Sequence, residues 1–221
     1  MLPPYGACIL GSLNLAALVK HPFTSHAYLD IRRLTALTHI AVRMLDNVND
    51  VSNYPLEQQY VEAQSKRRIG LGITGFADML IMLGLGYREA GPEWSQEVMR
   101  QISEAAMTAS IDLATEKGAY PLWRAEHGPK RRNSHLLSIA PTGTISLFAG
   151  NVSSGIEPVF DFEYKRKVLE FCEAVQGRGF RWRVSARVDC VNPMMVEKMA
   201  EAVEKNSGDL AAIRKHVEQD R

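Results

Sequence analysis

The sequence predicts an α/β protein, a layer or barrel in which short buried strands pack against long helices. Three observations carry this. Apolar residues recur at helical spacing in two long stretches, Ile31 to Val48 and Val98 to Leu113. Two short apolar runs, residues 67–75 and 135–140, are broken by glycine or closed by proline and suit buried strands better than helices. The two kinds of segment alternate along the chain, with no internal repeat or low-complexity tract.

Composition narrows the classes. The chain has 221 residues, 46% hydrophobic and 23% charged, which fits a folded domain and not a disordered one. A formal net charge of +1 supplies no global attraction for nucleic acid or an anionic membrane, so neither is expected as a partner. No uncharged apolar run is long enough for a bilayer, and the first residues lack the basic and apolar regions of a signal peptide. Three scattered cysteines, Cys8, Cys172 and Cys190, do not make a disulfide scaffold, and a cytoplasmic location is expected. Residues 3–8, Pro-Pro-Tyr-Gly-Ala-Cys, read as the middle of a loop and suggest that the chain is part of something longer.

The elements follow in order. Residues 9–20 read as a short helix or a strand end, closed by His21-Pro22. Asp30 is placed to cap a helix carrying Ile31, Leu34, Leu37, Ala41, Met44, Leu45 and Val48, ending near Asn49-Asp50. Leu56 to Lys66 is expected to be helical. Residues 67–75 read as a buried strand or bulged turn. Gly70, Gly72 and Gly75 match the G-x-G-x-x-G spacing of a dinucleotide fingerprint. No clear strand precedes them and no carboxylate follows at a fitting distance, so close backbone packing is the preferred reading. Phe76 to Leu83 reads as a short apolar helix stopped by Gly84. Gly91-Pro92 is expected to open a long helix with Val98, Ile102, Ala105, Ala109 and Leu113 on one face, stopped by Gly118. Lys130, Arg131 and Arg132 read as a solvated loop. Residues 1–163 are expected to form one unit. The remainder, 164–221, is read as a hairpin of strands 164–170 and 180–191, turning at 176–179, followed by a charged helical tail from Pro193.

The most informative stretch is Ser138-Ile-Ala-Pro-Thr-Gly-Thr-Ile-Ser146. A strand that breaks at Pro141 and re-enters as a helix leaves backbone N–H groups unpaired and pointing one way, which suits a phosphate. Gly143 lets an anion approach the main chain, and Thr142, Thr144 and Ser146 offer hydroxyls. An ordinary turn accounts for the same residues, so both readings stand on the segment alone. Cys8 is similarly open, a small buried hydrophobe or a reactive thiol. The six histidines show no ligand spacing, and no metal site is expected.

Several blocks together resemble one family. Leu2-Pro-Pro-Tyr-Gly-Ala-Cys8, Leu10-Gly-Ser-Leu-Asn-Leu15, Leu45-Asp-Asn-Val48, Arg67-Arg-Ile-Gly-Leu-Gly72, Ala140-Pro-Thr-Gly-Thr-Ile-Ser146 and Ser154-Gly-Ile-Glu-Pro158 resemble the catalytic domain of the ribonucleotide reductase large subunit. The adenosylcobalamin-dependent (class II) type is the nearest form, over about residues 2–170. The resemblance implies an α/β fold, the C-terminal half of a ten-stranded barrel rich in helices. It implies an oxidoreductase that converts ribonucleoside di- or triphosphates to deoxyribonucleotides for DNA synthesis by thiyl-radical chemistry. Cys8 then matches one member of the redox cysteine pair, and Thr142, Gly143, Thr144, Ile145 and Ser146 match the loop that binds the substrate phosphates. Glu157 takes no role beyond its motif. The radical-bearing cysteine of the family precedes the Leu-Pro-Pro-Tyr segment, so this chain alone is expected to be inactive and to bind no adenosylcobalamin. Its expected partners are a ribonucleotide and either the N-terminal half of the same enzyme or a second copy of itself. The alternative is a non-catalytic phosphate-ligand or protein-interaction module derived from a half barrel.

Overall fold

A computed structural model describes residues 2–159, 163–172 and 181–191. Strand β1 (Ile9–Asn14) leads through a 3₁₀ turn (Ala16–Leu18) to β2 (Val19–Lys20), which pairs antiparallel with β3 (Tyr28–Leu29). Helix α1 (Ile31–Val51) and helix α2 (Glu57–Lys66) then carry the chain to β4 (Ile69–Thr74), parallel to β1 in the register Ile9↔Ile69 to Asn14↔Thr74. Two helices follow, α3 (Phe76–Met82) and α4 (Tyr87–Lys117). The mixed α/β class therefore holds, with a parallel sheet backed by helices.

The expected strand at 135–140 is shorter and less regular than a full ladder. Leu137 makes a parallel bridge to Leu71, Ile69 N–H donates to the His135 carbonyl at 3.0 Å, and Ser138 N–H donates to the Leu71 carbonyl at 3.1 Å. β4 thus has a neighbour on each side. Residues 9–20 resolve into strand, 3₁₀ turn and strand, where the sequence left helix or strand end open.

Alternation in β4 explains its composition. Ile69, Leu71 and Ile73 face one way and are buried in the core with Leu34, Val42 and Leu45 of α1 and Ile102, Ala106 and Leu113 of α4. Alanines 105, 106, 109 and 114 are all buried, and their small size lets α4 lie close along α1. The Asp30 cap is present, its carboxylate accepting from Arg33 N–H at 2.9 Å. Gly118 ends α4 at φ +85°, as its position predicts.

Three expectations are corrected. First, Met44 and Val48 are exposed, and α1 buries Leu34, Thr38, Ala41, Val42, Leu45, Asp46 and Asn49 instead. At 100° per residue the buried face is turned by roughly 60° from the apolar stripe. The cause is that Thr38, Asp46 and Asn49 are polar yet interior. Second, α4 begins at Tyr87, not at Gly91-Pro92, and runs through Pro92. Tyr87 packs edge-on against Phe76 with ring centroids 6.0 Å apart, and a hydrogen bond joins Ala90 N–H to the Gly86 carbonyl at 3.0 Å. This packing holds the turn before the proline despite the missing N–H. Third, only Lys130 of the basic run is solvated. The Arg132 guanidinium reaches Asp46 Oδ2 at 3.2 Å and the Lys117 carbonyl at 3.1 Å, while Arg131 donates to the carbonyls of Asn133 and Ser134.

The antiparallel pair β5 (Glu163–Cys172) and β6 (Arg181–Val191) agrees with the expected hairpin strands, with a register irregularity between Val168 and Leu169. The expected turn at 176–179 and the helical tail from Pro193 lie outside the described residues.

Replacing Asp46 with alanine should destabilise the chain by about 3–5 kcal/mol in urea unfolding, because it leaves the buried Arg67 and the partly buried Arg132 without their shared carboxylate. A second expectation concerns acid. Burial pushes the Asp50 carboxyl up, and the hydrogen bond from Arg67 with the charges of Arg67, Lys117 and Arg132 more than offsets it, holding the group below the ordinary carboxylate range. A lowered folded value means that the stabilisation is complete above the unfolded carboxylate pKa and is lost as pH falls through the folded one. Asp50→Asn should therefore flatten the decline of stability on acidification, measured by urea unfolding at a series of acid pH values.

Candidate functional site: a thiol and an open loop on one sheet face

The side of the sheet opposite the helices is built by the second half of each alternation. Cys8, Leu10, Ser12 and Asn14 share it with Gly70, Gly72 and Thr74. A Cβ placed on Gly70 would lie 2.5 Å from Leu10 Cδ2 and 3.3 Å from Cys8 Sγ, which puts the thiol over this strand. A Cβ on Gly72 would lie 2.3 Å from the Ser138 carbonyl oxygen. The main chain of residues 135–138 therefore rests against β4, and no side chain fits between. This is the close-packing reading of the three glycines. Gly70 and Gly72 sit inside a strand, and Gly75 caps α3 at φ +70°, so they do not form the turn of a dinucleotide fingerprint.

At the far end of the same face the chain turns at Pro141 and Thr142 (φ +54°) into helix α5 (Gly143–Phe148). The hydrogen bonds here have a forced direction. Gly155 N–H donates to Thr142 Oγ1 at 2.7 Å, and Thr74 Oγ1 donates to the Ser153 carbonyl at 2.8 Å. Each hydroxyl has one proton, so the 3.1 Å contact between the two threonines runs from Thr142 to Thr74. The Thr142 hydroxyl is thus held in the scaffold and has no proton left for an anion. Ser146 is buried as well, its hydroxyl donating to the Gly143 carbonyl at 3.2 Å and lying 3.2 Å from Ser154 Oγ. Gly143, Thr144 and Ile145 are exposed, and among the described residues nothing accepts from their backbone N–H groups. The space above Gly143 is open. Within the expected five residues, Thr142 and Ser146 shape the loop and Gly143, Thr144 and Ile145 present donors outward.

A residue that sequence reasoning missed fixes this loop. Ser153 Oγ accepts from Ala77 N–H at 3.2 Å, and Ser153 N–H donates to Asp78 Oδ2 at 2.9 Å, a capping arrangement made by a distant segment. Nothing within a few residues of Ser153 signals it, since its partners lie 75 and 76 positions away. Two more residues were missed on this sheet face. Ser12 Oγ and Asn14 Oδ1 are buried with no hydrogen-bond partner among the described residues. Assigning residues 9–14 as a strand in the sequence would have placed both beside Cys8.

Cys8 is a half-buried free thiol. Burial pushes it up, and the Arg68 charge opposes that rise. The Cys8 sulfur lies beside Gly70, so at about 3.3 Å per residue it is about 13 Å along the sheet from the Thr74 end that carries the loop. The thiol and the open amides are therefore at opposite ends of one face. Among the described residues no group of three His, Cys, Asp or Glu could hold a metal ion, and no helix is long and apolar enough to cross a membrane.

Comparison with known proteins adds the lineage. The family described as ribonucleotide reductase, barrel domain, matches residues 1–131 and 126–219. A vitamin B12-dependent ribonucleoside-diphosphate reductase of Mycobacterium tuberculosis (strain CDC 1551 / Oshkosh) is 43% identical over 173 residues, covering 76% of this chain and 24% of that protein. A protein of the same description from Thermoplasma acidophilum is 38% identical over 205 residues, covering 90% of this chain and 24% of that protein. A ribonucleoside-diphosphate reductase subunit alpha of Treponema pallidum is 30% identical over 174 residues, covering 66% and 20%. The chain spans about a quarter of the length of the first two of these curated relatives.

Thr142→Val should cost about 1–3 kcal/mol, because Gly155 N–H loses its acceptor in a buried place. Thermal or urea unfolding of the chain measures this, with Thr144→Ala, at an exposed position, expected to stay within about 0.5 kcal/mol of the parent.

Proposed function

Because the chain belongs to the ribonucleotide reductase barrel-domain family, we propose that it is the C-terminal part of the catalytic barrel of a vitamin B12-dependent ribonucleoside-diphosphate reductase. The observation that carries this reading is the shared sheet face, with Cys8 at one end and the free amides of Gly143, Thr144 and Ile145 at the other. The barrel itself is the ten-stranded α/β type. The described residues up to 159 are part of its wall, and the strand pair β5–β6 follows them. The location is cytoplasmic. The parallel strands and the exposed Leu10, Ile145 and Phe148 beside them suit an inner surface that the rest of the parent protein covers.

The chemistry asks for these residue types. Replacing a 2′-hydroxyl by hydrogen consumes two electrons and two protons and releases water. Two thiols supply both by closing one disulfide. Cys8 is one of them. The loop binds the phosphates through the amides of residues 143–145 and the Thr144 hydroxyl, with Thr142 and Ser146 holding its shape. Binding the far end of the substrate fixes the ribose against the reacting groups. The relatives' names point to a diphosphate substrate.

Adenosylcobalamin supplies radical initiation in such an enzyme. The residues described do not fit it. The orphaned polar atoms of the inner face, Ser12 Oγ and Asn14 Oδ1, are buried and too few to seat a group of that size. No step here runs through it, and the cofactor belongs to the parent enzyme as a whole.

The test is reconstitution with the complementary N-terminal part. The 221-residue chain alone should make no deoxyribonucleotide with a dithiol and adenosylcobalamin, and the assembled parts should. In the assembly, Cys8→Ser should abolish multiple turnover and leave nucleotide binding unchanged. Thr144→Ala should weaken nucleoside diphosphate binding about 3- to 10-fold, the worth of one hydrogen bond. Full turnover by the Cys8→Ser assembly would overturn the redox assignment.

A further inference from the structure

Arg68 stands directly before Ile69 as Cys8 stands before Ile9, and these two isoleucines face each other in the parallel register. Ile9 N–H donates to the Arg68 carbonyl at 3.4 Å, so the two strands are still paired at this end. Arg68 is only 7% exposed. Its Nη2 donates to Glu62 Oε1 at 2.9 Å, and its Nη1 is buried with no hydrogen-bond partner among the described residues. An orphaned nitrogen on a buried guanidinium is costly. Glu62 is shared with Lys66, whose ammonium lies 2.6 Å away, so the carboxylate does not neutralise Arg68 alone. The guanidinium field reaches the Cys8 sulfur.

We propose that Arg68 is a positioning residue for Cys8, its unpartnered Nη1–H serving as hydrogen-bond donor and counter-charge to the Cys8 sulfur when the thiol gives up its proton. The orphan nitrogen thereby acquires its acceptor in the ionised state. A thiolate, and not a thiol, attacks and exchanges disulfides. Arg68 therefore poises Cys8 for disulfide exchange, a purpose that rests on the redox reading above. The charged and titratable groups around the pair are Glu62 and Lys66 on α2, Arg68 just before β4, and His135 on the neighbouring segment. Burial and the charges of Arg68, Arg131 and Lys66 push His135 below its ordinary value, so it stays neutral while Cys8 titrates.

The experiment is alkylation of the full chain by iodoacetamide from about pH 6 to about pH 10. The thiolate sulfur displaces iodide, the thiol proton passes to buffer, and peptide mass spectrometry reads Cys8 separately from Cys172 and Cys190. Arg68→Met should move the Cys8 midpoint up by about one pH unit and slow its alkylation near neutral pH about 10-fold. Arg68→Lys should stay within about 3-fold of the parent at that pH. Glu62→Gln should move the midpoint the other way, downward, because it releases Arg68 from its present partner. Should Arg68→Met fail to fold by circular dichroism, the Glu62→Gln shift decides alone. A folded Arg68→Met with an unchanged midpoint, or a Glu62→Gln midpoint that is unchanged or raised, overturns the proposal. No turnover is measured, so failure here leaves the redox reading of Cys8 standing, and failure of Cys8→Ser to abolish turnover leaves this result standing.

Discussion

The Asp46 carboxylate is fully buried in the last third of α1, and separate parts of the chain converge on it. Arg67 donates to Oδ1 through Nε at 3.0 Å and Nη2 at 2.8 Å, Asn133 adds Nδ2 at 2.9 Å, and Arg132 reaches Oδ2 at 3.2 Å. Lys117, at the end of α4, completes the pairing at 3.6 Å. A buried charge without partners is costly, so these contacts are obligatory and mutually dependent. They tie α1, the α2–β4 junction, the end of α4 and the 130–134 loop into one unit. Asn133 Nδ2 also donates to the Arg67 carbonyl at 3.1 Å, which sets the position from which Arg68 and β4 proceed. The thiol end of the sheet face inherits its geometry from this centre.

The opposite end is organised by neutral hydrogen bonds. Ser153 is joined to the start of α3, Thr74 to Ser153 and Thr142, and Thr142 to Gly155. Each hydroxyl proton has one destination, so the loop has one consistent arrangement. The side chains of Thr142 and Ser146 are turned inward for that purpose, which is why the outward donors are main-chain amides and Thr144. Between the two ends lie glycines that admit the 135–138 backbone at a distance no side chain permits. The face is thus shaped by what β4 lacks as much as by what it carries.

Much of the architecture was legible in the sequence for local reasons. The α1 cap at Asp30, the α4 stop at Gly118 and the alternation of Ile69, Leu71 and Ile73 with glycine each depend on a few adjacent residues. The turn at Pro141 and the candidate roles of Cys8 and residues 142–146 came from short motifs in a recognisable order. The errors share a cause. The start of α4 was misplaced because tertiary packing of Tyr87 on Phe76 outweighed the proline rule. The buried face of α1 was turned because polar residues with distant partners are interior, which an apolar periodicity does not register.

By itself the sequence determined the helices and their stops, the alternation of glycine with apolar residues at 67–75 and the blocks that mark the lineage. These are properties of near neighbours along the chain, where backbone sterics and side-chain period decide. Only the tertiary structure decided that Asp46 is met by Arg67 and Arg132, partners 21 and 86 positions away. Only it turned Thr142 inward, left the amides of residues 143–145 without an acceptor among the described residues, and paired the Arg68 end of one strand with the Cys8 end of the other. Such pairings depend on which strands lie side by side and in what register, and that is settled by burial of the whole core.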